Sequence, residues 1–488
     1  MRYSALKGEK KETSPGCAPV KFRLENPGAK ASLDICASKA LKDRRLPVNI
    51  LLASMVAVAL FLPITSRQVY GGEKTRIGAE QAGNADGEIT PFEGAKGLEC
   101  PSDYKKGQYL PNPYKDEKPR FRIDHTNVAK YENRLSPGQI ARLKRNPNFY
   151  MNVYPTHRNM EFCEEFYVAT EKNTRTVRLA NNHLLEGFNG GIPFPDPKNG
   201  LEAIWNVKRP YMGDDATATE CRRVVTPSGK IKKTIRTTYV LTYDERRLKT
   251  KLQNPDALSY KLLAYYSYPA DEAGTAYLTY GYLDDDRLED TWLYLPTMRR
   301  IRRAPTLTGG AQLDGESTMD DLGFEFRGPI NDWTWKLLGK REMYIPVNNY
   351  DIWEVGTPDN EECLPQDINP ARLRYELRRV WVVEGTARPG LSHPYSKRVG
   401  YYDEDTWLPA VADRYDQRGN LWRMIEFYTA YDYCQKMRVV PAILYLNLET
   451  GRYELQGGCR TQDSLLGMYD TGLDESLFTV EAMRKEGR

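Results

Sequence analysis

Histidine is scarce, with only His125, His157, His183 and His393 in a chain of 488 residues. None falls in H-E-x-x-H or another paired ligand spacing, so nothing supports a catalytic zinc site. The G-x-S-x-G elbow, the G-x-x-x-x-G-K-[ST] phosphate loop and the G-x-G-x-x-G fingerprint are all absent. That removes the motif-bearing hydrolases, NTPases and dinucleotide-binding folds. C-x-x-C is missing too, which speaks against a metal knuckle. Adjacent acids occur at Asp284-Asp285-Asp286 and Glu361-Glu362, in turn-like stretches where solvated loops explain them better than acid–base chemistry. A triad assembled from distant residues leaves no trace in sequence order. The expectation is a protein with no cofactor and no metal, and not an enzyme.

Basic charge is also short once the start of the chain is set aside. The net charge is +4, but residues 1–46 hold 11 Lys/Arg against 5 Asp/Glu, leaving 59 basic and 61 acidic residues from Pro47 onward. A body with that balance is no general polyanion binder, and nucleic acid is not expected as a partner.

One long apolar run exists, Leu46–Ile64, behind Lys42, Arg44 and Arg45. It reads as a secretory signal peptide or a membrane anchor. The residues ahead of it exceed an ordinary signal n-region, which fits an over-extended start of the reading frame or an uncleaved anchor. In either form the body faces an extracytoplasmic space. Cys100, Cys163, Cys221, Cys363, Cys434 and Cys459 lie beyond the run, and an even number in an oxidising compartment makes all six disulfide candidates. Buried free thiols are the alternative.

What is abundant is tyrosine, 33 residues against 13 Phe, suited to half-buried sheet faces. Gly, Pro and Asn crowd residues 71–120, which predicts an extended arm. "LSPGQIARLKRNPNFY" predicts a helix with Ser136 as N-cap, Pro137 in the first turn and Asn146-Pro147 as the stop. From about Val153 the pattern reads as strands. They run from "FCEEFYVATEKNTRTVRLA" through "KKTIRTTYVLTYDERRL", "YKLLAYYSYP", "GTAYLTYGYL" and "DTWLYLPTMRRIRR" to "YELRRVWVVEGTA" and "AILYLNLET". "YYDEDTW" and "YDQRGNLW" look like tight turns of an antiparallel meander. The fold class is therefore mainly β (α+β), one large curved antiparallel sheet with a few helices. The domain plan is a basic, disordered leader extension at 1–45, a signal peptide or anchor at 46–66, an extended Gly/Pro-rich arm at 67–120 and a β-rich domain at 121–488.

Binding candidates come from aromatics on strands. Trp292, Trp333, Trp335, Trp381, Trp407 and Trp422 all lie on strand-like segments, and a sheet curling around such rings makes a cavity for an apolar ligand. Core filling is the plainer account of any single ring. Trp292 and Tyr294, with Trp333 and Trp335 at i and i+2, are the candidate ligand wall. Read as one strand, "TMRRIRR" puts Arg299, Ile301 and Arg303 on one face and Arg300 and Arg302 on the other. An edge strand bearing solvated charge explains that split; otherwise Arg299 and Arg303 serve an anionic headgroup at a cavity mouth.

Several stretches in order, "IGAEQAGNADGEITPFEG", "LSPGQIARLKRNPNFYMNVYPTHR", "GGIPFPDPKNGLEAIWN", "WLYLPTMRRIRRAP", "DWTWKLLGKREMYIPVNNYD" and "SKRVGYYDEDTWLPAVADRYDQRGNLWR", resemble a family of exported proteins related to the outer-membrane lipoprotein-sorting (LolA-like) group. The resemblance covers about Ile77 to Arg423. The chain departs from the pattern at Val207, where the family has histidine, and at Glu88-Ile89-Thr90-Pro91. The resemblance implies a LolA-like fold at 121–488: an incomplete antiparallel barrel closed by helices, with a hydrophobic cavity between. It also implies a binding or carrier protein for a lipid or other hydrophobic molecule, in the periplasm or at the outer membrane's periplasmic face. Such a carrier would work with an inner-membrane exporter and outer-membrane partner proteins. The alternative is a non-enzymatic outer-membrane assembly or structural factor; a hydrolase with a dispersed triad is a third reading.

Overall fold

The structure, a computed structural model, describes residues 72–305, 309–459 and 467–486. The leader at 1–45 and the apolar stretch at 46–66, with the export role expected of it, lie outside the described residues.

In chain order, β1 (Phe121–Ile123) pairs with β2 (Met151–Val153), and α1 (Pro137–Arg145) lies between them in sequence. Then come α2 (Glu164–Thr176), a small hairpin of β3 (Arg178–Ala180) and β4 (Leu184–Glu186), and α3 (Gly200–Lys208). A first meander follows: β5 (Asp215–Val225), β6 (Ile231–Thr242), β7 (Leu258–Tyr268), β8 (Ala276–Tyr282), β9 (Asp290–Leu295) and β10 (Arg300–Arg303). β11 (Trp333–Pro346), the short α4 (Asp359–Glu362) and the ladder β12 (Cys363–Leu364) with β13 (Asp367–Ile368) lead to a second meander. Its strands are β14 (Tyr375–Ala387), β15 (Tyr395–Asp403), β16 (Pro409–Asp416), β17 (Leu421–Asp432), β18 (Met437–Asn447) and β19 (Tyr453–Gly458). β20 (Met468–Tyr469) and α5 (Val480–Glu486) close the described chain.

Most of these strands form one open sheet of 16, mostly β as its alternating tyrosines and β-branched residues imply. The two meanders fuse where β19 pairs with β5, Leu455 opposite Arg223. β10 is one edge; at the other end β14 pairs with β11 and, through β2, leads to the short β1. The pairing is antiparallel apart from one parallel contact, Tyr375 with Val153. The sheet rolls so far that β11 also approaches β16 and β17, and α1 fills the resulting trough. Gln139 of α1 reaches Tyr344 O on β11 at 3.0 Å and Glu426 on β17 at 3.3 Å. Val380, Val382, Val399, Tyr401, Met424 and Leu444 pack on that side. The opposite face carries Trp381, Val383 and Tyr402 against α2 and α3. Covered on both faces, β14 to β19 read as almost continuously buried.

The predicted helix forms as α1, with Ser136 and Gln139 exchanging bonds of 3.0 and 3.1 Å in a capping box. Two expectations need correction. "FCEEFYVATEKNTRTVRLA" is mostly α2, because its buried residues Phe166, Ala169, Thr170 and Asn173 repeat at helical spacing, with Glu164 and Glu165 in the favourable first turn. "DTWLYLPTMRRIRR" is not one strand but the hairpin β9–β10, and Arg299 sits in its turn at φ 48°.

Disulfides join Cys100 to Cys434, tying the stretch before β1 to the β17–β18 turn, and Cys221 to Cys459, tying β5 to the end of β19. Cys163 and Cys363 were expected among the bridged six and take no part: Cys163 donates to the Tyr211 hydroxyl at 3.6 Å, and Cys363 is buried on β12. Residues 72–120 run as successive turns, held where Arg158 donates to the carbonyls of Glu80, Ala82 and Thr90.

Candidate functional site

The predicted ligand wall does not assemble. Trp292 and Tyr294 on β9 pack with Ile301, Phe478 and Met483 in a core of the first meander, and Trp292 meets Tyr280 edge-on at 4.9 Å. Trp333 and Trp335 on β11 do share a face, 6.3 Å apart, but in the other core beside Phe326 and the Arg398 guanidinium. Trp333 is buried, and Trp335 donates its indole N–H to Ile330 O at 3.0 Å. Arg299 and Arg303 are exposed on the β9–β10 hairpin, where Arg303 pairs with Asp290.

The space expected between sheet and helices is largely filled, leaving only a small pocket of about 20 Å³ among Phe166, Tyr211, Trp407 and Arg438. On one face α1 fills the trough. On the other, the segment 309–332 presses Asp320, Asp321 and Glu325 onto Arg398 and Arg414, and Tyr395 donates to Asp321 at 2.8 Å. Among the described residues no three His, Cys, Asp or Glu side chains gather as metal ligands do. His157, His183 and His393 each face a carboxylate, of Glu117, Asp284 and Asp320.

A larger cleft, of about 230 Å³, lies at the β3–β4 hairpin. Its roof is Leu184, Leu185 and Phe188; Leu283, just past β8, and Asp244 with Glu245, just past β6, form the walls; Arg209 is the floor. Local sequence builds each part. Asn181 takes the left-handed turn of the hairpin at φ 54°. Gly187, at φ 67°, lets the roof return so close to α2 that a Cβ there would stand 2.1 Å from the Thr176 carbonyl oxygen. Asp285 N donates to His183 O at 3.0 Å, tying the roof to the end of β8. α3 starts at its Asn199 cap, which accepts from Glu202 N at 2.9 Å, and stops before Pro210. Trp205 and Arg209 are four residues apart, hence on one side of that helix end, with the guanidinium 4.8 Å from the indole. The indole N–H in turn donates to Asn182 O in the hairpin turn at 3.0 Å.

The electrostatics single out Arg209. It is 8% exposed, donates one hydrogen bond, to Leu283 O at 3.3 Å, and stands 4.0 Å from the Asp244 carboxylate. Burial pushes its pKa below the usual guanidinium value, and Asp244 recovers only part of that. Asp244 is committed elsewhere: Arg246 donates to it at 2.8 and 3.0 Å and Ser259 at 2.8 Å. Burial opposes its ionisation, but Arg246 and Arg209 hold its pKa below the usual carboxylate value. A cleft lined by four apolar side chains, with an under-compensated cation beside them, can hold an apolar group and orient one polar end. Sequence reading passed over Arg209, which looks like ordinary charge at a helix end. The four-residue spacing from Trp205, just before a proline, was the available signal.

Comparison with known proteins gives the family. Residues 122–484 match the family described as "Protein of unknown function (DUF1329)", and the chain belongs to it. It is 35% identical over 460 residues to "Uncharacterized protein PA3922" of Pseudomonas aeruginosa, covering 91% of this chain and 98% of that one. Among solved structures, a DUF1329 family protein from Desulfovibrio piger is 18% identical with a TM-score of 0.41, over 58% of this chain and 97% of that one. A domain from Vibrio parahaemolyticus, provisionally described as an outer membrane lipoprotein-sorting protein, is 20% identical with a TM-score of 0.41, over 58% and 98%. LolA superfamily protein NE2245 from Nitrosomonas europaea is 14% identical with a TM-score of 0.36, over 58% and 99%.

Proposed function

We propose that this chain is a non-enzymatic carrier that holds a lipid-like hydrophobic molecule in the periplasm or at the periplasmic face of the outer membrane, working with an envelope transporter. The observation that carries this reading is the cleft under the β3–β4 hairpin. With a volume of about 230 Å³ and four apolar side chains in its lining, it is a little smaller than the roughly 300–1,000 Å³ of typical small-molecule sites and suits a single slender apolar group. The disulfides Cys100–Cys434 and Cys221–Cys459 suit an oxidising compartment, as does the apolar run at 46–64 in the sequence. No nucleotide motif is present in the sequence, so direction of transport would come from the partner. This is the role the sequence resemblance implies, moved from the barrel interior to a peripheral cleft.

The test is to make the protein in an oxidising periplasm, purify it without detergent, extract it with organic solvent and weigh what is released. A stoichiometric apolar molecule, lost on Leu185→Arg, is expected. An empty protein that also takes up no uncharged fluorescent probe would end the carrier reading. The assembly-factor alternative has one observation in its favour, the open β10 edge with Arg300 and Arg302 exposed and Met298 51% exposed at the turn. A photocrosslinker at position 302 that captures one outer-membrane protein in cells would shift the assignment there.

A further inference from the structure

We infer that the cleft selects an anionic amphiphile: a single apolar chain under Leu184, Leu185 and Phe188, and a carboxylate or phosphate head on Arg209. This deepens the carrier reading and rests on it. The argument starts from how the protein treats its other buried arginines. Arg142 makes three bonds of 2.6 to 2.9 Å to Asp367 and Glu426, and Arg158 makes bonds of 2.9 and 2.7 Å to Asp405. Both are clasped by carboxylates, which offsets much of the cost of removing a guanidinium from water; buried Arg438, by contrast, donates to Asn348 Oδ1 at 3.1 Å and to the Met160 sulfur at 3.7 Å.

Arg209, 8% exposed, has no carboxylate within hydrogen-bond distance. Its one hydrogen bond ends on a backbone carbonyl, and its nearest carboxylate, 4.0 Å away, already serves Arg246 and Ser259. The two acids beside the cleft are both accounted for: Asp244 by Arg246 and Glu245 by Lys251, at 2.8 and 2.7 Å. Its positive charge is left only partly compensated. The guanidinium lies 4.8 Å from the Trp205 indole, and Arg209 lines the cleft. A planar carboxylate or a phosphate matches the guanidinium fork with two parallel bonds. The rest of the ligand is set by Leu184, Leu185, Phe188 and Leu283, the apolar part of a lining that also holds Asp244 and Glu245. Each methylene removed from water there adds affinity, so a chain binds where a bare anion would not.

The test titrates the full chain with cis-parinaric acid and with its methyl ester, which share one chain and differ in head charge. The expected result is at least ten-fold tighter binding of the acid. Arg209→Met should abolish that preference while leaving the ester within two-fold of wild type, and Arg209→Lys should keep part of it. Leu184→Glu, which sets a carboxylate into the roof, should exclude the acid without touching Arg209 and serves if the Arg209 variants misfold. Equal binding of acid and ester by the wild type overturns the headgroup assignment and leaves the carrier reading standing. Binding of neither removes both. If inorganic phosphate displaces the acid with comparable affinity, the site belongs to a free anion and the amphiphile is wrong.

Discussion

Gly138 occupies the first turn of α1, where alanine would ordinarily be the better helix former by about 1 kcal/mol. Here a Cβ would stand 2.2 Å from Asp413 Oδ1 and 2.8 Å from the Met424 Cβ, because the helix lies directly on β16 and β17. Gly138→Ala should therefore lower stability, and a urea midpoint equal to or above wild type would show that the helix does not sit so close. Asp413 itself accepts from Gly138 N–H and the Ser136 hydroxyl, both at 3.1 Å. Burial pushes its carboxyl up to about 6, against the pull of those two donors. A folded-state pKa raised above the unfolded 3.8 means stability that is full below about pH 3.8 and lost as pH rises through 6. Asp413→Asn cannot ionise. Relative to that variant, the wild type should lose about 2–3 kcal/mol between pH 4 and pH 7.5; parallel urea midpoints across that range would refute the assignment. At this scale the sequence was half legible. Ser136 and Pro137 announce α1 because capping is local, whereas nothing near Asp413 signals that a helix end covers it.

Elements were legible where their period was unmixed. The meander strands alternate cleanly, but α2 mixes Thr, Val, Phe and Tyr at helical spacing and so resembles a strand. The segment 309–332 was not legible at all. It forms only short turns, yet Asp320, Asp321 and Glu325 in it are buried, because their partners Arg398 and Arg414 come from strands some eighty residues later. Burial alone would raise the Asp321 carboxyl; Arg414, Arg398, Thr318 N–H and the Tyr395 hydroxyl outweigh it and hold it at about 2. Its contribution is present above about pH 3.8 and lost as pH falls toward 2. Removing the charge leaves two guanidiniums short of a partner in a dry interior. Asp321→Asn should cost about 3–5 kcal/mol at pH 7 and lift the segment off β15 and β16, read as a urea midpoint together with a change in Trp333 emission. A loss under 1 kcal/mol would mean that the segment is held by its other contacts.

For the whole molecule the decisive feature is a join that no local pattern announces. Each meander is contiguous in sequence, so its strands pair with near neighbours at low entropic cost. Among the described residues, the two meanders hydrogen-bond to each other only where β19 meets β5. That ladder brings together residues more than two hundred positions apart, and Cys221–Cys459, with a separation of 238, locks it where Gly457 lies opposite Cys221. That cysteines pair was legible from their even count beyond the apolar run; which four pair was not, because pairing follows this long-range register. A crosslink over so long a loop removes much of the unfolded chain's freedom and is worth about 3–5 kcal/mol. In Cys221→Ala/Cys459→Ala the stability should fall by that amount, and unevenly. β14 to β18 keep α1 and the covered faces, whereas β6 to β10 rest on a smaller core and the short α5. Hydrogen exchange should thus show β6–β10 amides losing protection well before those of β14–β18. Equal loss in both meanders would mean that the sheet opens as a single cooperative unit and that the β19–β5 ladder holds without its disulfide.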